Sequence, residues 1–457
     1  KFIAMLSGAL AALSPDISEQ EFGSAAQSTA GTIFGLKGSK LLKIDTYANY
    51  ISVELHGSEK VCGWPQLLEA NGDLWGVPCA AHHILRISPL SGPSQLPLEG
   101  HLDMACQWRH ATLARNGVLF AMPWQATAVL RVEPSLAKVR QLGSLPVTQQ
   151  GKFGFTVAAQ DTVCGIPWAA RKVLCVQSSG EALWQFGEFN DLSGKWRQAA
   201  AHGGQIFALP VEADSVLQID PQNHKAVELK HFPTGPFRPI LLARWAGGIE
   251  IGNSLVSLPG FDCSILKVDM SLAKISRHEL ECGGGALHNW HSAVVAKNGA
   301  IYAVPFSASF ALKIEFTGDS VQAKQLGTLG NSMAKWSQAI LSSNGDVYGV
   351  PWSAEKVLKI RPQTDEVSTF GNFEPGPARW REGVLSSNGF IYCIPEAAPT
   401  ILRIDPSSDT TLQLPVTPQS GLAPGSLLSP VTTESGTTTT VQVMCLGFIC
   451  PGGATLR

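Results

Sequence analysis

Charge is scarce in this chain and close to balanced. Of 457 residues 15% are charged, and the formal net charge is −2. That balance gives no electrostatic case for nucleic acid or an anionic membrane surface as a partner. Long apolar runs are missing as well. None approaches the roughly 18–20 residues that cross a bilayer as a helix, so no transmembrane segment is expected. Ten cysteines include no CxxC pair, which removes the usual close-spaced zinc cluster. GxSxG, HExxH, Walker A and GxGxxG patterns are absent, which counts against an ordinary hydrolase, a zinc protease or a nucleotide enzyme. No cofactor and no metal site are expected. No N-x-S/T sequon occurs, and the compartment stays open on this reading.

What the chain does have is apolar material and turns. Apolar residues make up 44%, with 45 glycines and 29 prolines, which suits a core bounded by many turns rather than by long helices. The strings NGDLWGVP, NGVLFAMP, DTVCGIP, GGQIFALP, GNSLVSLP, NGAIYAVP, NGDVYGVP and NGFIYCIP recur. Their prolines (78, 123, 167, 210, 259, 305, 351 and 395) lie 43–49 residues apart. An aromatic precedes each proline, at 14–15 residues for Trp64, Trp108, Phe153, Trp196, Trp290, Trp336 and Trp380 and at 22 for Phe237. After each proline comes a β-rich stretch such as VLRVE, ILKVD or VLKIR, then a turn into a short last strand.

These landmarks predict four antiparallel strands per unit. Asn-Gly and Gly-Gly pairs accept positive φ and mark hairpins between first and second strands. The third strands carry Arg86, Arg131, Gln218, Lys267, Lys313, Lys359 and Arg403 between apolar neighbours, the alternation of a half-exposed strand. The second strands are apolar on both faces, and the proline ends them because it cannot donate to a ladder. One such sheet cannot bury both faces alone, so the units must stack, and a ring leaves only short protected edges. The fold class expected is all-β: a single propeller of eight to nine four-stranded blades.

Eight full units run from residue 64 onward, and TIFGLKGSKLLKIDTYANYISVEL (32–55) reads as the later strands of another. GSLLSPV (425–431) resembles a first strand, so the two ends are expected to complete one blade and close the ring. Eight blades agree with the usual upper size of such rings, nine with this count. The propeller is placed at 32–431, between tails 1–31 and 432–457. Residues 1–13 read either as an amphipathic helix or as a signal-peptide remnant, which would fit a secreted or organellar protein. Cysteines inside strands, such as Cys164 in VCGIP and Cys393 in YCIP, read as buried thiols, and Cys445 with Cys450 as the local bridge.

The consensus W-x-x-A-x-x-x-x-NG-x-I-Y-[GA]-V-P-[WF]-x-A-x-x-V-L-K-I-D-P resembles propeller repeats of the kelch-like, YVTN-like and virginiamycin-B-lyase-like kinds. The resemblance covers roughly 32–431 and implies architecture. Such propellers include lyases, lactonases and binding platforms, so it does not select a function. The carboxylate and Asn set of a lactonase-type metal site does not recur at matched positions, and the quinoprotein tryptophan-docking signature is absent.

The first strand of a blade lines the central channel. Directly after the blade aromatic stand Arg109, Arg197, Arg238, His291 and Arg381, a candidate cationic collar for a carboxylate or phosphate. The plainer reading stacks each arginine on a neighbouring aromatic or pairs it with an acid. Trp124, Trp168, Phe306 and Trp352 follow the blade prolines and offer either a docking face or inter-blade packing. His288 and His291, three apart on an extended segment, point to different sides and make a poor metal pair. The two S-x-x-K strings, at Ser135–Lys138 and Ser271–Lys274, occupy one repeat position and read as a turn device. The function expected is therefore a binding or scaffolding propeller that presents loops and a channel mouth to a protein or small anionic ligand. The alternative is a small-molecule lyase or hydrolase with His291 as base in the funnel. The oligomeric state is left open.

Overall fold

A computed structural model describes residues 64–415, apart from 80, 89–90, 99–105, 147–150, 233–244, 261–262, 281–289 and 319. It also describes strands within 25–55 and the pairs 431–432 and 438–439. The described residues form nine four-stranded antiparallel sheets, each in strict sequence order, plus a two-stranded ribbon of Val431–Thr432 with Thr438–Thr439. Blades 1 to 9 span residues 25–55, 66–97, 108–142, 153–186, 196–229, 245–279, 290–326, 336–370 and 380–415. The nine-position count holds. The expectation that the two ends share one blade is corrected: the inner strand of blade 1 is Ala25–Gln27, from the segment read as an N-terminal tail. Val431 of the expected closing strand (425–431) pairs with Thr439, and residues 425–430 lie outside the described residues. So do the 1–13 helix or signal segment and the Cys445–Cys450 pair. Among the described residues no helix is long and apolar enough to cross a membrane.

Six of the second strands are buried along their whole length, as in Leu119–Pro123, Ile301–Pro305, Val347–Pro351 and Ile391–Pro395. The recurring tryptophan explains itself in the packing. Trp108, Trp196, Trp290 and Trp380 are at most 1% exposed. Their indole N–H groups donate to carbonyls at the start of their own third strands: Ala128, Ser215, Phe310 and Thr400, at 2.7–3.2 Å. One side chain thus ties the first strand to the third, and its buried N–H is satisfied.

Blades are latched to one another at the hairpin end. Asn116, Asn298, Asn344 and Asn388 donate from Nδ2 to the carbonyl just after the third strand of the next blade: Ser178, Pro362, Pro406 and Thr46. The last of these joins blade 9 to blade 1, and Tyr392, Ile394 and Ile401 share a hydrophobic cluster there with Ile33, Phe34 and Ile44. In these four hairpins the glycine alone takes positive φ, whereas Asn71 and Gly72 both do. The asparagine is therefore kept mainly for its side chain, whose Oδ1 also accepts the amide two residues on.

Arg86 and Arg403 are half-exposed as the alternation predicts, but Arg131, Lys267, Lys313 and Lys359 are only 4–9% exposed. The three lysines reach acceptors on the next blade, Lys267 the Gly318 carbonyl. Lys359 Nζ meets Asp409 at 2.7 Å and Asp346 at 3.1 Å, and Lys313 meets Asp365 at 3.2 Å. Tyr302 and Tyr348 hydroxyls donate to the same two turn aspartates, Asp365 and Asp409. Two disulfides also correct the reading of the strand cysteines. Cys164 and Cys175 face each other in register across the second and third strands of blade 4 and are bonded. Cys79 and Cys106 tie the post-proline loop of blade 2 to the approach to blade 3. Cys393 is the buried free thiol expected.

Candidate functional site

Antiparallel order sorts the loops onto two faces. The blade aromatic pairs with the blade proline, as in Trp196 with Pro210 and Trp336 with Pro351. The segments entering each blade and the post-proline loops therefore share one face, called here the tryptophan face. The Asn-Gly hairpins and third-to-fourth turns share the other.

In seven blades the first strand has a register shift immediately after its aromatic. A bulge of this kind re-aims side chains and leaves amides without ladder partners. The residue two places after the aromatic repairs the deficit in the following blade. Gln66 accepts the Ala111 amide at 2.7 Å, His110 that of Thr156 at 3.2 Å, Ser292 that of Ala339 at 3.0 Å and Gln338 that of Gly383 at 2.6 Å. This polar belt spans the inner edges of the blades and protects strands that would otherwise be bare edges.

The candidate residues one place after the aromatic behave differently. The Arg109 guanidinium lies 4.7 Å from the Trp124 ring, and that of Arg381 lies 5.9 Å from Trp352. Both arginines are 6% exposed. His291 lies flat on Phe306, with centroids 3.9 Å apart and planes at 12°. The two levels kept apart in the sequence, the collar and the post-proline aromatics, are thus one layer of stacked pairs. Arg197 is half-buried, and its charge acts on His110 in the polar belt. Arg238 does not belong to this level: the blade 6 aromatic that pairs with Pro259 is Trp245, not Phe237, so Ala246 holds the equivalent position, and Arg238 lies outside the described residues.

His110 is stacked on Phe155 at 3.9 Å. Burial first, and the Arg197 charge second, hold its pKa down at about 3. Its Nδ1 accepts the Thr156 amide, so the neutral imidazole carries its proton on Nε2.

A cationic level missed in the sequence sits one place before the aromatic. Lys152, Lys195, Lys335 and Arg379 are 1–7% exposed. Their head groups hold the entering loops by donating to backbone carbonyls: Lys152 to Gln125, Lys195 to Asn190 and Leu192, Lys335 to Ser332, and Arg379 to Glu374 and Ala354. Burial pulls both Lys195 and Lys335 down to about 8, with Asp191 and Glu228 opposing it at Lys195. Aligning the units one residue earlier shows the signal as KF, KW, KW and RW.

Above these buried cations the tryptophan face carries aromatic and apolar side chains among exposed charges such as Arg171, Lys172 and Asp191. Trp124, Trp168 and Trp352 are partly exposed, with Trp124 and Trp168 centroids 5.9 Å apart. Trp168 rests on Gly154, where a Cβ would come within 3.1 Å of its ring. Leu192 and Met333, on the loops entering blades 5 and 8, are 42% and 45% exposed. A cavity of about 540 Å3 lies at the opposite, hairpin end of the inner strands of blades 3–5. It is lined by Leu113, Arg115, Ala158, Gln160, Ala201 and neighbouring residues; His291 and the collar arginines do not line it.

No family model and no curated protein matches this chain. Solved structures do match. The dihydro-heme d1 dehydrogenase NirN aligns at TM-score 0.50 and 11% identity, over 78% of this chain and 76% of that one. AztD from Citrobacter koseri aligns at 0.47 and 13%, over 77% and 95%. Virginiamycin B lyase from Staphylococcus aureus aligns at 0.41 and 12%, over 68% and 95%. At such identities the likeness concerns fold alone. The chain is a β-propeller.

Proposed function

We infer that this propeller is a binding module whose tryptophan face docks a partner segment combining apolar and acidic residues. The observation that carries this is the placement of Trp124, Trp168 and Trp352 at equivalent post-proline positions, partly exposed, beside Leu192 and Met333. Exposed tryptophans grouped on one face are the residues that most often anchor an interface. The Arg109 and Arg381 guanidiniums beside Trp124 and Trp352 set positive charge next to the aromatic surface, which disfavours a further cation and favours an acidic group flanking the apolar anchors of a partner. Arg197 adds a half-buried positive charge at the same level.

A random peptide display selection against the intact protein tests this. Selected peptides should be rich in acidic and apolar residues. They should lose at least tenfold in affinity on the double change Trp124→Ala and Trp352→Ala, and several-fold on Arg197→Ala. They should keep it on Leu136→Ser with Leu272→Ser, two exposed turn leucines of the opposite face. Binding that survives the tryptophan changes, or a selection that yields nothing, refutes the reading.

A further inference from the structure

Blade 5 brings three ligand-bearing side chains together at the rim of the tryptophan face. Asp214 is in the post-proline loop, Glu228 is near the end of the fourth strand Lys225–Leu229, and His231 is in the segment leaving the blade. One ligand atom from each lies within 4.8 Å of the other two. We propose that Asp214, Glu228 and His231 bind a divalent first-row transition ion.

The scaffold argues for this as much as the residue types do. Val216 pairs with Leu229, which sets the base of the Asp214 loop beside the end of the Glu228 strand. Phe232 donates its amide to the Asp214 carbonyl at 2.6 Å. Its ring, 3% exposed, packs edge-on against Trp245 at 5.4 Å. His231 is thereby pinned on the side of the Asp214 loop although its own ring is 64% exposed. Ser215 donates from Oγ to Glu228 Oε2 at 2.6 Å, which orients that carboxylate as an outer-shell partner does in a metal site. His231 Nδ1 stands 3.1 Å from Asp214 Oδ1, close to the spacing of two ligands on one ion.

One imidazole with two carboxylates suits zinc, manganese, cobalt or nickel. Calcium would take six to eight oxygens, and magnesium is seldom held by imidazole. The three side chains leave coordination positions for water or for a donor from a docked partner.

Titration of the intact, metal-stripped protein with Co2+, read by visible absorption and then by displacement with Zn2+, tests the site. One equivalent should bind, with affinity reduced tenfold or more in His231→Ala and in Glu228→Gln. Replacing the exposed His82 by alanine should leave it unchanged. Circular dichroism and thermal midpoints of the variants without metal should match the wild type, which separates loss of a ligand from loss of the fold. Absence of stoichiometric binding by the wild type overturns the proposal, as does equal affinity in the His231→Ala and His82→Ala variants. This result does not depend on peptide docking at the tryptophan face, and either can fail alone.

Discussion

Replacing Lys359 by methionine removes the cation at the centre of the latch between blades 8 and 9. Its ammonium, on a side chain 6% exposed, is shared by Asp346 at 3.1 Å and by both oxygens of Asp409 at 2.7 Å. Deleting one member of a buried pair costs about 3–5 kcal/mol, because the carboxylates left behind are desolvated without compensation. Asp409 is 33% exposed and keeps its bond from the Tyr348 hydroxyl, so water recovers part of that loss. The expected cost is about 3 kcal/mol. Lys267 occupies the same place in blade 6, yet it donates to the Gly318 carbonyl at 2.8 Å and lies 4.9 Å from the Phe316 ring. One such bond and one cation–π contact predict about 1–1.5 kcal/mol for Lys267→Met. With about 2 cal/mol/K of unfolding entropy per residue over roughly 400 residues, the two changes should lower the thermal midpoint by about 4 °C and about 1–2 °C. Adding Asp409→Asn to Lys359→Met should cost clearly less than the sum of the two single changes. Scanning calorimetry or urea unfolding reads the comparison. Equal midpoints for Lys267→Met and Lys359→Met would refute the claim that the inter-blade acids give this position its importance.

Three further outcomes follow from the geometry. Cys164→Ala with Cys175→Ala opens a short cross-strand loop in blade 4, where Phe153 supplies no indole bond between first and third strands. About 3 kcal/mol of stability should go with it, and a reductant, which also opens Cys79–Cys106, should lower the wild-type midpoint by more; no change in the variant would contradict the tie. The His110 ring should stay neutral from pH 8 down to pH 4 in nitrogen-detected NMR, since its folded pKa is about 3. Because that value lies below the unfolded one, its contribution to stability is complete at high pH and is lost as pH falls through about 6.5 towards 3. A midpoint above 5 would exclude the buried, Thr156-bonded ring. Gln338→Ala removes the acceptor for the Gly383 amide and should cost about 1–2 kcal/mol, whereas Gln338→Glu should cost less; identical costs would remove the belt from the account.

The strand order was legible because two landmarks per unit, an aromatic and a proline, turn out to be ladder partners, as Trp336 and Pro351 are. Nine positions followed from recognising 32–55 as part of a unit, although the inner strand Ala25–Gln27 carries none of the landmarks. Alternation failed at Lys313 and Lys359. Their covering acids, Asp365 and Asp409, lie about fifty residues on, and a period-2 pattern reports only whether a neighbour differs. The Cys164–Cys175 bond was hidden for the same kind of reason: eleven residues apart, the two sulfurs meet only once the hairpin register is known. Arg109, Arg197 and Arg381 do follow their blade aromatics, whereas Arg238 does not, because Trp245 and not Phe237 pairs with Pro259; the bulge after the aromatic sets Arg109 and Arg381 beside Trp124 and Trp352. Lys152, Lys195, Lys335 and Arg379 were plainly visible one residue earlier, in a column that had not been lined up.

The asparagine latch has a head and a tail. Each participating blade extends its asparagine forward, and the receiving turn belongs to the blade after it, including the step from Asn388 back to Thr46. A contact of this heterologous kind does not record how many times it is repeated. A gene encoding such a chain can duplicate or lose a whole unit and still find every head opposite a tail, with no new interface to evolve. What limits the number is the angle between successive sheets, which must bring the last blade round to the first. An array that grows past that angle would run on as an open spiral, its final asparagines facing solvent.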